Sequence, residues 1–351
     1  MPLIGYHASH EQFSPGDLLR YARAAQLAGF TALSSSDHFH PWSERQGESG
    51  HSWSWLGAAM ATVDLPTGVV ACPFGRYHPA VVAQAAATLE AMFPGRFWIA
   101  LGTGEALNEH ITGRPWPPKP ERQAMLSESV EVMRALWRGE EVTHRGSIVV
   151  DRARLYTLPQ RPPPIFAAAL TEQTARWAGQ WADGLITISA PRETMRAVID
   201  AFREGGGGGK PVHIQAKIAY ADPTQGDEAA RRMAYEQWRT NVFDSETAAN
   251  LATPAEFDAR AGTVSPDDIE RAVRISCDAA QQAAWLAEDL AMGADAVFLH
   301  NVCGNQQAWL DACAQTVLPQ LRAAPEPGCL PRKAGAVRRR DRRSGQQATS
   351  A

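Results

Sequence analysis

Short apolar runs alternate with longer stretches of three-to-four periodicity along most of this chain. Leu3–His7, Phe30–Ser36, Pro66–Cys72, Arg96–Gly102, Pro164–Ala169, Gly184–Ile188, Val212–Tyr220 and Ala296–His300 read as strands. Helical patterns follow them. Pro15–Ala28 places Leu18, Leu19, Ala22 and Ala25 on one face, and Glu121–Trp137 does the same with Leu126, Val130, Met133 and Leu136. Trp53–Val63, Pro79–Met92, Glu172–Trp181, Arg192–Glu204, Asp278–Met292 and Gln306–Leu321 complete the helices. Val142–Leu158 reads as a β-hairpin excursion, and residues 224–272 as a mostly helical insertion, less regular over 244–262. The run Gly205–Gly209 is too uniform for a phosphate loop and reads as a connector. Eight strands, each followed by helix, predict an α/β fold: a (β/α)8 TIM barrel with insertions, one domain over residues 1–322. A doubly wound open sheet gives the same alternation. The barrel is favoured because polar residues gather at the carboxyl ends of the strands all around the count.

Composition narrows the class without changing the fold. The 351 residues are 44% hydrophobic and 21% charged, a balance that builds a sizeable core. The start Met1-Pro2-Leu3-Ile4-Gly5-Tyr6 has no signal-peptide pattern, and no run approaches the ~18 apolar residues of a spanning helix, so a cytoplasmic protein with no membrane partner is expected. Cys72, Cys277, Cys303, Cys313 and Cys329 are scattered and form no CxxC pair. The formal charge of −4 divides unevenly. Residues 323–351 carry seven Lys/Arg and two acids, a net of +5, which leaves −9 for the body. That acidic body argues against nucleic acid as a partner, and the Pro-, Gly- and Arg-rich tail is expected to be disordered.

Candidate chemistry concentrates at two strand ends. After the second strand comes Asp37-His38-Phe39-His40-Pro41-Trp42, and after the fourth Gly102-Thr103-Gly104-Glu105-Ala106-Leu107-Asn108-Glu109. Paired glycines let backbone pass close to a flat or charged ligand. A histidine near neutral pKa beside a carboxylate suits general acid–base work. Glu109 falls at a helix start, where an acid also simply favours the dipole. His7 and His300, at two further strand ends, divide evenly between pocket lining and structural roles. With His38 and His40 they also outline a rival, a metal-dependent hydrolase on the same barrel; that reading leaves Gly102–Asn108 unexplained.

Four segments carry a resemblance. Gly5-Tyr6-x-Ala8-Ser9-x-Glu11-Gln12-Phe13, Ser36-Asp37-His38-Phe39-x-Pro41-Trp42, Arg76-Tyr77-x-Pro79-Ala80-Val81-Val82-Ala83-Gln84-Ala85 and Gly102–Glu109 resemble the luciferase-like superfamily of flavin- and deazaflavin-dependent oxidoreductases. The nearest branch is that of the glucose-6-phosphate dehydrogenases that use coenzyme F420. The resemblance spans roughly residues 3–320. It implies a flavin-type ring, FMN or F420, at the strand carboxyl ends, a small-molecule substrate and a homodimer. It places Asp37, Thr103, Gly104, Glu105 and Asn108 against the cofactor. Val69 and Val70 would form a backbone bulge behind the ring, which in relatives holds a cis non-proline peptide. It makes His38 the general base that takes a hydroxyl proton as hydride leaves carbon. Trp42 would shield the developing charge, with Glu105 and Glu11 managing protons near the ring. A flavin-dependent monooxygenase is the alternative within the superfamily.

Some positions depart from that branch. Where the sugar-phosphate enzymes carry a lysine after strand six, this chain has Ser189-Ala190-Pro191, and a second lysine is replaced near Glu256-Phe257-Asp258. A phosphate dianion would lose its charge partners there. A glycine pair after strand five is replaced by Ala169-Leu170. Trp42-Ser43-Glu44-Arg45-Gln46 and Trp238-Arg239-Thr240-Asn241-Val242-Phe243 resemble a side branch of non-F420 flavin enzymes.

Overall fold

The structure is a computed structural model that describes residues 2–323. The expected basic tail lies outside the described residues. The elements run β1 (Leu3–Ala8), α1 (Pro15–Ala28), β2 (Ala32–Ser36), α2 (Ser52–Thr62), β3 (Thr67–Ala71), α3 (Pro79–Met92), β4 (Phe97–Leu101), α4 (Ala106–Glu109) and α5 (Lys119–Trp137). A hairpin of β5 (Val142–Arg145) and β6 (Val149–Ala153) follows. Then come β7 (Ile165–Ala168), α6 (Glu172–Ala178), β8 (Gly184–Ile188), α7 (Arg192–Phe202) and β9 (Val212–Ala219). The insertion holds α8 (Gly226–Trp238), α9 (Ser245–Asn250), α10 (Pro254–Arg260) and β10 (Arg274–Ile275). The chain closes with α11 (Ala279–Ala291), β11 (Ala296–Asn301), α12 (Gln306–Ala312) and α13 (Leu318–Ala323).

Local chemistry sets the helix ends. Ser14 Oγ accepts from the Asp17 N–H ahead of Pro15, and Gly29 ends α1 at φ 102. His78 Nδ1 accepts from the Ala80 N–H ahead of Pro79 in α3. The glycine run does more than connect: a π turn over Arg203–Gly207 follows α7, and the backbone leaves helical geometry at Gly206, φ 111.

Eight parallel strands close on themselves in the order β1, β2, β3, β4, β7, β8, β9, β11, with β11 returning to β1. The alternation is therefore a barrel and not an open sheet. The short β10 adds a parallel pairing at Ile218 and Ala219, past the point where β8 stops at Gln215. The hairpin pairs antiparallel outside the barrel. No helix among the described residues is long and apolar enough to cross a membrane.

Strand alternation divides the side chains into two cores. Outward residues such as Leu33, Val69, Ile99, Ile214 and Val297 pack beneath the helices. Inward residues form a smaller core around Trp98, Phe166, Ile186 and Phe298. His213 joins those rings, stacking on Phe166 at 4.1 Å with Trp98 5.1 Å away. Gly68 makes room, because a Cβ there would overlap the Trp98 indole. This aromatic plug closes the barrel floor and leaves its carboxyl-end mouth to polar residues.

Candidate active site

The mouth is open. Val70, Gly102, Ala168, Ile188, Gln215 and Lys217 all point inward, yet each is part-exposed inside a closed barrel. A Cβ at Gly102 would meet only Ala168, at 3.6 Å, so the wall there is free for a ligand. Gly104 is required for another reason. Its φ is 74, and a Cβ would press on Cys72 Sγ at 2.9 Å. This tight turn brings Glu105 to His38.

His38 is the centre of the polar cluster. Its Nε2 lies 3.4 Å from Glu11 Oε1 and 3.9 Å from Glu105 Oε2. Its Nδ1 is 3.3 Å from Asn108 Nδ2. Asn108 Oδ1 accepts from the N–H groups of Phe39, at 2.9 Å, and His40, at 3.4 Å, so the amide nitrogen is the end that faces His38 and Glu105. The Asn108 side chain thus joins the two loops that carry the two sequence clusters. The Trp42 ring lies 4.9 Å from His38, backed by the edge of buried Phe257 at 5.2 Å.

The two carboxylates beside His38 differ in their supports. Burial alone would raise Glu11, but His38 and its hydrogen bonds hold its pKa below the usual value. Ser9 Oγ and Ser36 Oγ each donate to Glu11 Oε2 at 2.8 Å. Among the described residues Glu105 receives only the long Asn108 hydrogen bond, and burial pushes its pKa up. The two acids are thus shifted in opposite directions.

A second charge cluster backs this wall. Asp37 is held by Arg76 Nη2 at 2.9 Å and by a hydrogen bond from the Tyr77 hydroxyl at 3.2 Å. The same guanidinium pairs with Glu109 at 3.0 Å, and the Arg76 N–H donates to Glu109 Oε2 at 2.7 Å. All three side chains are buried. Glu109 is therefore part of an ion network and not an exposed helix-start acid. Burial pushes its pKa up to about 7. The Asp37 carboxylate is turned toward this network.

Two expectations change on this evidence. Val69 and Val70 keep regular pairing with Ser35 and Ser36 on one side and Ile99 and Ala100 on the other, so there is no bulge. Every peptide bond among the described residues is trans. The metal-hydrolase outline also comes apart. His40 Nδ1 bonds the Leu107 carbonyl at 2.8 Å and its ring stacks on His110, away from His38. The described residues contain no group of three or more His, Cys, Asp or Glu arranged to hold a metal.

The strand alternation on β9 puts a residue in the mouth that motif reading passed over. Lys217 follows His213 and Gln215 on the inward face, opposite His300 in the ladder. Its Nζ sits 5.4 Å from the Trp238 ring centroid. Its inward position was legible in the alternation of β9, after two other polar residues, but its lack of partners was not.

A family model described as luciferase-like monooxygenase matches residues 3–296. The chain belongs to the luciferase-like monooxygenase family. Among curated members of similar sequence, the F420-dependent glucose-6-phosphate dehydrogenase of Beutenbergia cavernae is 34% identical over 91% of this luciferase-like chain and 97% of its own length. That of Nakamurella multipartita is 35% identical, over 91% and 96%. Among solved structures, an F420-dependent secondary alcohol dehydrogenase in complex with an F420–acetone adduct superimposes with a TM-score of 0.84. It shares 32% identity and covers 92% of this chain and 99% of its own.

Proposed function

We propose that this protein is an F420-dependent dehydrogenase that oxidises a small alcohol, with His38 as the general base. That the chain is a hydride-transfer oxidoreductase with a flavin-type cofactor follows from its family and from relatives over 30% identical and matched nearly end to end. F420 is preferred to FMN because those relatives are named for it. The observation that carries the mechanism is the position of His38 Nε2 between two carboxylates of opposite tendency, under a part-exposed mouth.

The residues fit such a ring. Gly102 leaves the wall open, Thr103 Oγ1 has no partner among the described residues, and Val70 and Ala168 offer apolar surface. Thr103, Gly104, Glu105 and Asn108 would hold the group, with Asp37 fixing the wall behind them through Arg76. The bound ring supplies a hydride acceptor. The protein's own residues supply the rest. With the Asn108 amide nitrogen at Nδ1 the resting imidazole carries its hydrogen on Nε2, so His38 takes the hydroxyl proton as that hydrogen passes to the Glu11 carboxylate. Asn108 holds the imidazole plane from the other nitrogen. Glu105 keeps or releases a proton beside the reacting atoms. Trp42, pressed by Phe257, keeps water from His38.

Sugar phosphates fit less well. Ser189 Oγ accepts from the Lys217 N–H at 3.2 Å. Asp258 is already engaged by Ser43 Oγ at 2.7 Å and by Arg45 Nη2 at 3.1 Å. Both places that carry lysine in the sugar-phosphate enzymes therefore serve internal contacts.

Separate fluorescence titrations of the apoprotein with F420 and with FMN test this reading. Tight F420 binding with weak FMN binding is expected. The reverse order would move the protein to the flavin enzymes, and binding of neither would remove the redox reading.

A further inference from the structure

Lys217 has no task in the chemistry above, and its setting is unusual. It is part-exposed although it points into the interior of a closed barrel, so its ammonium faces the mouth. It makes no ion pair within 4 Å and its Nζ makes no hydrogen bond among the described residues; the ring of buried Trp238 lies beside it. Arg76, by contrast, is held between Asp37 and Glu109.

The neighbours on its wall are uncharged. His300, opposite Lys217 in the ladder, gives its Nε2–H to Gln12 Oε1 at 2.8 Å. The direction is fixed because Gln12 Nε2 donates to the Val302 carbonyl at 2.8 Å and to Gln237 Oε1 at 3.3 Å. His300 Nδ1 is then bare, buried and without a partner among the described residues. The His7 ring lies 5.0 Å from that of His300, with Nδ1 2.9 Å from Ser34 Oγ. Burial lowers the pKa of His7 to about 4 and that of His300 well below its ordinary value, so both are neutral. The result is an ammonium on a neutral wall of rings, facing a pocket whose opposite wall carries His38.

We propose that Lys217 receives the carboxylate of a small hydroxy-acid substrate while His38 takes the proton of its hydroxyl, a reading that rests on the oxidoreductase function above. In the reaction the O–H bond breaks to His38. The C–H bond breaks with its electron pair passing to the bound deazaflavin or flavin, which is reduced. A carbonyl forms on the carbon, and the carboxylate is unchanged. A monoanion suits the site better than a phosphate dianion. One ammonium is available, and Glu11 and Glu105 across the mouth disfavour further negative charge.

The test uses the full chain, with and without bound cofactor, as wild type, Lys217→Met and Lys217→Arg. Each is titrated by calorimetry with lactate, with lactamide (the same shape without the charge) and with inorganic phosphate. The wild type is expected to bind lactate about tenfold or more tightly than lactamide and more tightly than phosphate. Lys217→Met should lose the preference, and Lys217→Arg should keep most of it. The preference should fade above about pH 8, where burial places the ammonium, with Glu105, Glu11, His7 and His300 as the titratable groups facing it.

Equal binding of lactate and lactamide by the wild type would overturn the proposal. So would a preference that survives Lys217→Met in a variant with wild-type circular dichroism. Tighter, lysine-dependent binding of phosphate would overturn the monoanion class. Weakened F420 or FMN binding with lactate binding intact would assign the lysine to an oxyanion of the cofactor. A lysine-dependent lactate site on a protein with no redox turnover would sink the dehydrogenase reading and leave the carboxylate site standing.

Discussion

His213 and His38 sit at opposite ends of the same barrel interior and have opposite surroundings. His213 belongs to the floor. Its ring is stacked on Phe166 and edged by Trp98 and Phe298, and its Nδ1 has no hydrogen-bond partner among the described residues. Burial lowers its pKa to about 3, so it is in effect an aromatic packing residue. His38 belongs to the mouth, where two carboxylates and an amide lie within 4 Å of its nitrogens. The residue type is the same. What differs is whether a proton arriving on the ring finds a counter-charge.

The largest expected effect tests the mouth. His38→Ala should lower turnover by about 10²–10⁴-fold while leaving F420 or FMN affinity within a few-fold of wild type. Steady-state kinetics beside a fluorescence titration separates the two. Unchanged turnover would remove His38 from the chemistry and make the two histidines alike.

Next comes the ion network that separates mouth from shell. Arg76→Met leaves Asp37 and Glu109 buried without their cation, and should cost about 3–5 kcal/mol in urea unfolding at pH 8. Without the cation the Glu109 pKa rises above its wild-type value of about 7, so the loss should shrink as pH falls toward 7 and level off below it. An unchanged unfolding midpoint would mean that the network is an ornament of the fold.

The floor makes a pH prediction of its own. The unfolded chain protonates His213 near 6.5 and the folded chain only near 3, so between those values the unfolded state holds more protons. The stability contribution is thus fully present above about 6.5 and falls as acid is added, by ~1.4 kcal/mol per pH unit. His213→Phe should flatten that slope between pH 6 and 4 without altering turnover. A slope identical to wild type would place the acid sensitivity elsewhere, with buried His7 and His10 the next groups to examine.

The smallest effect concerns the wall behind Trp42. Asp258 accepts from Ser43 Oγ, the Glu44 N–H and Arg45, and so ties the loop of the mouth to α10. Asp258→Asn should weaken that tie by about 0.5–1.5 kcal/mol and raise KM several-fold with kcat nearly unchanged. A drop in kcat equal to that of His38→Ala would move Asp258 from positioning into the chemistry itself.

The barrel was legible in the chain because period-two and period-3.6 patterns are written locally, strand by strand. Asp37-His38 and Gly102–Glu109 could be paired from their motifs, and they do meet, through Asn108 and the backbone of Phe39 and His40. Glu109 could not be read, since an acid in a first helical turn looks the same exposed or buried; only the arrival of Arg76 from the loop after β3 gave it a partner. Lys217 could not be read either, because its meaning is an absence of partners in three dimensions. The expected bulge at Val69–Val70 came from likeness to relatives and not from the residues, which here simply continue the ladder.

By itself the sequence determined the element order, the inward and outward faces of each strand, and the residue types available at the strand ends. The tertiary structure decided which charges are neutralised and which are left to meet a ligand. Periodicity is a property of neighbours in the chain, whereas the state of an ionisable group depends on burial and on charges a few ångströms away, carried by strands far apart in sequence.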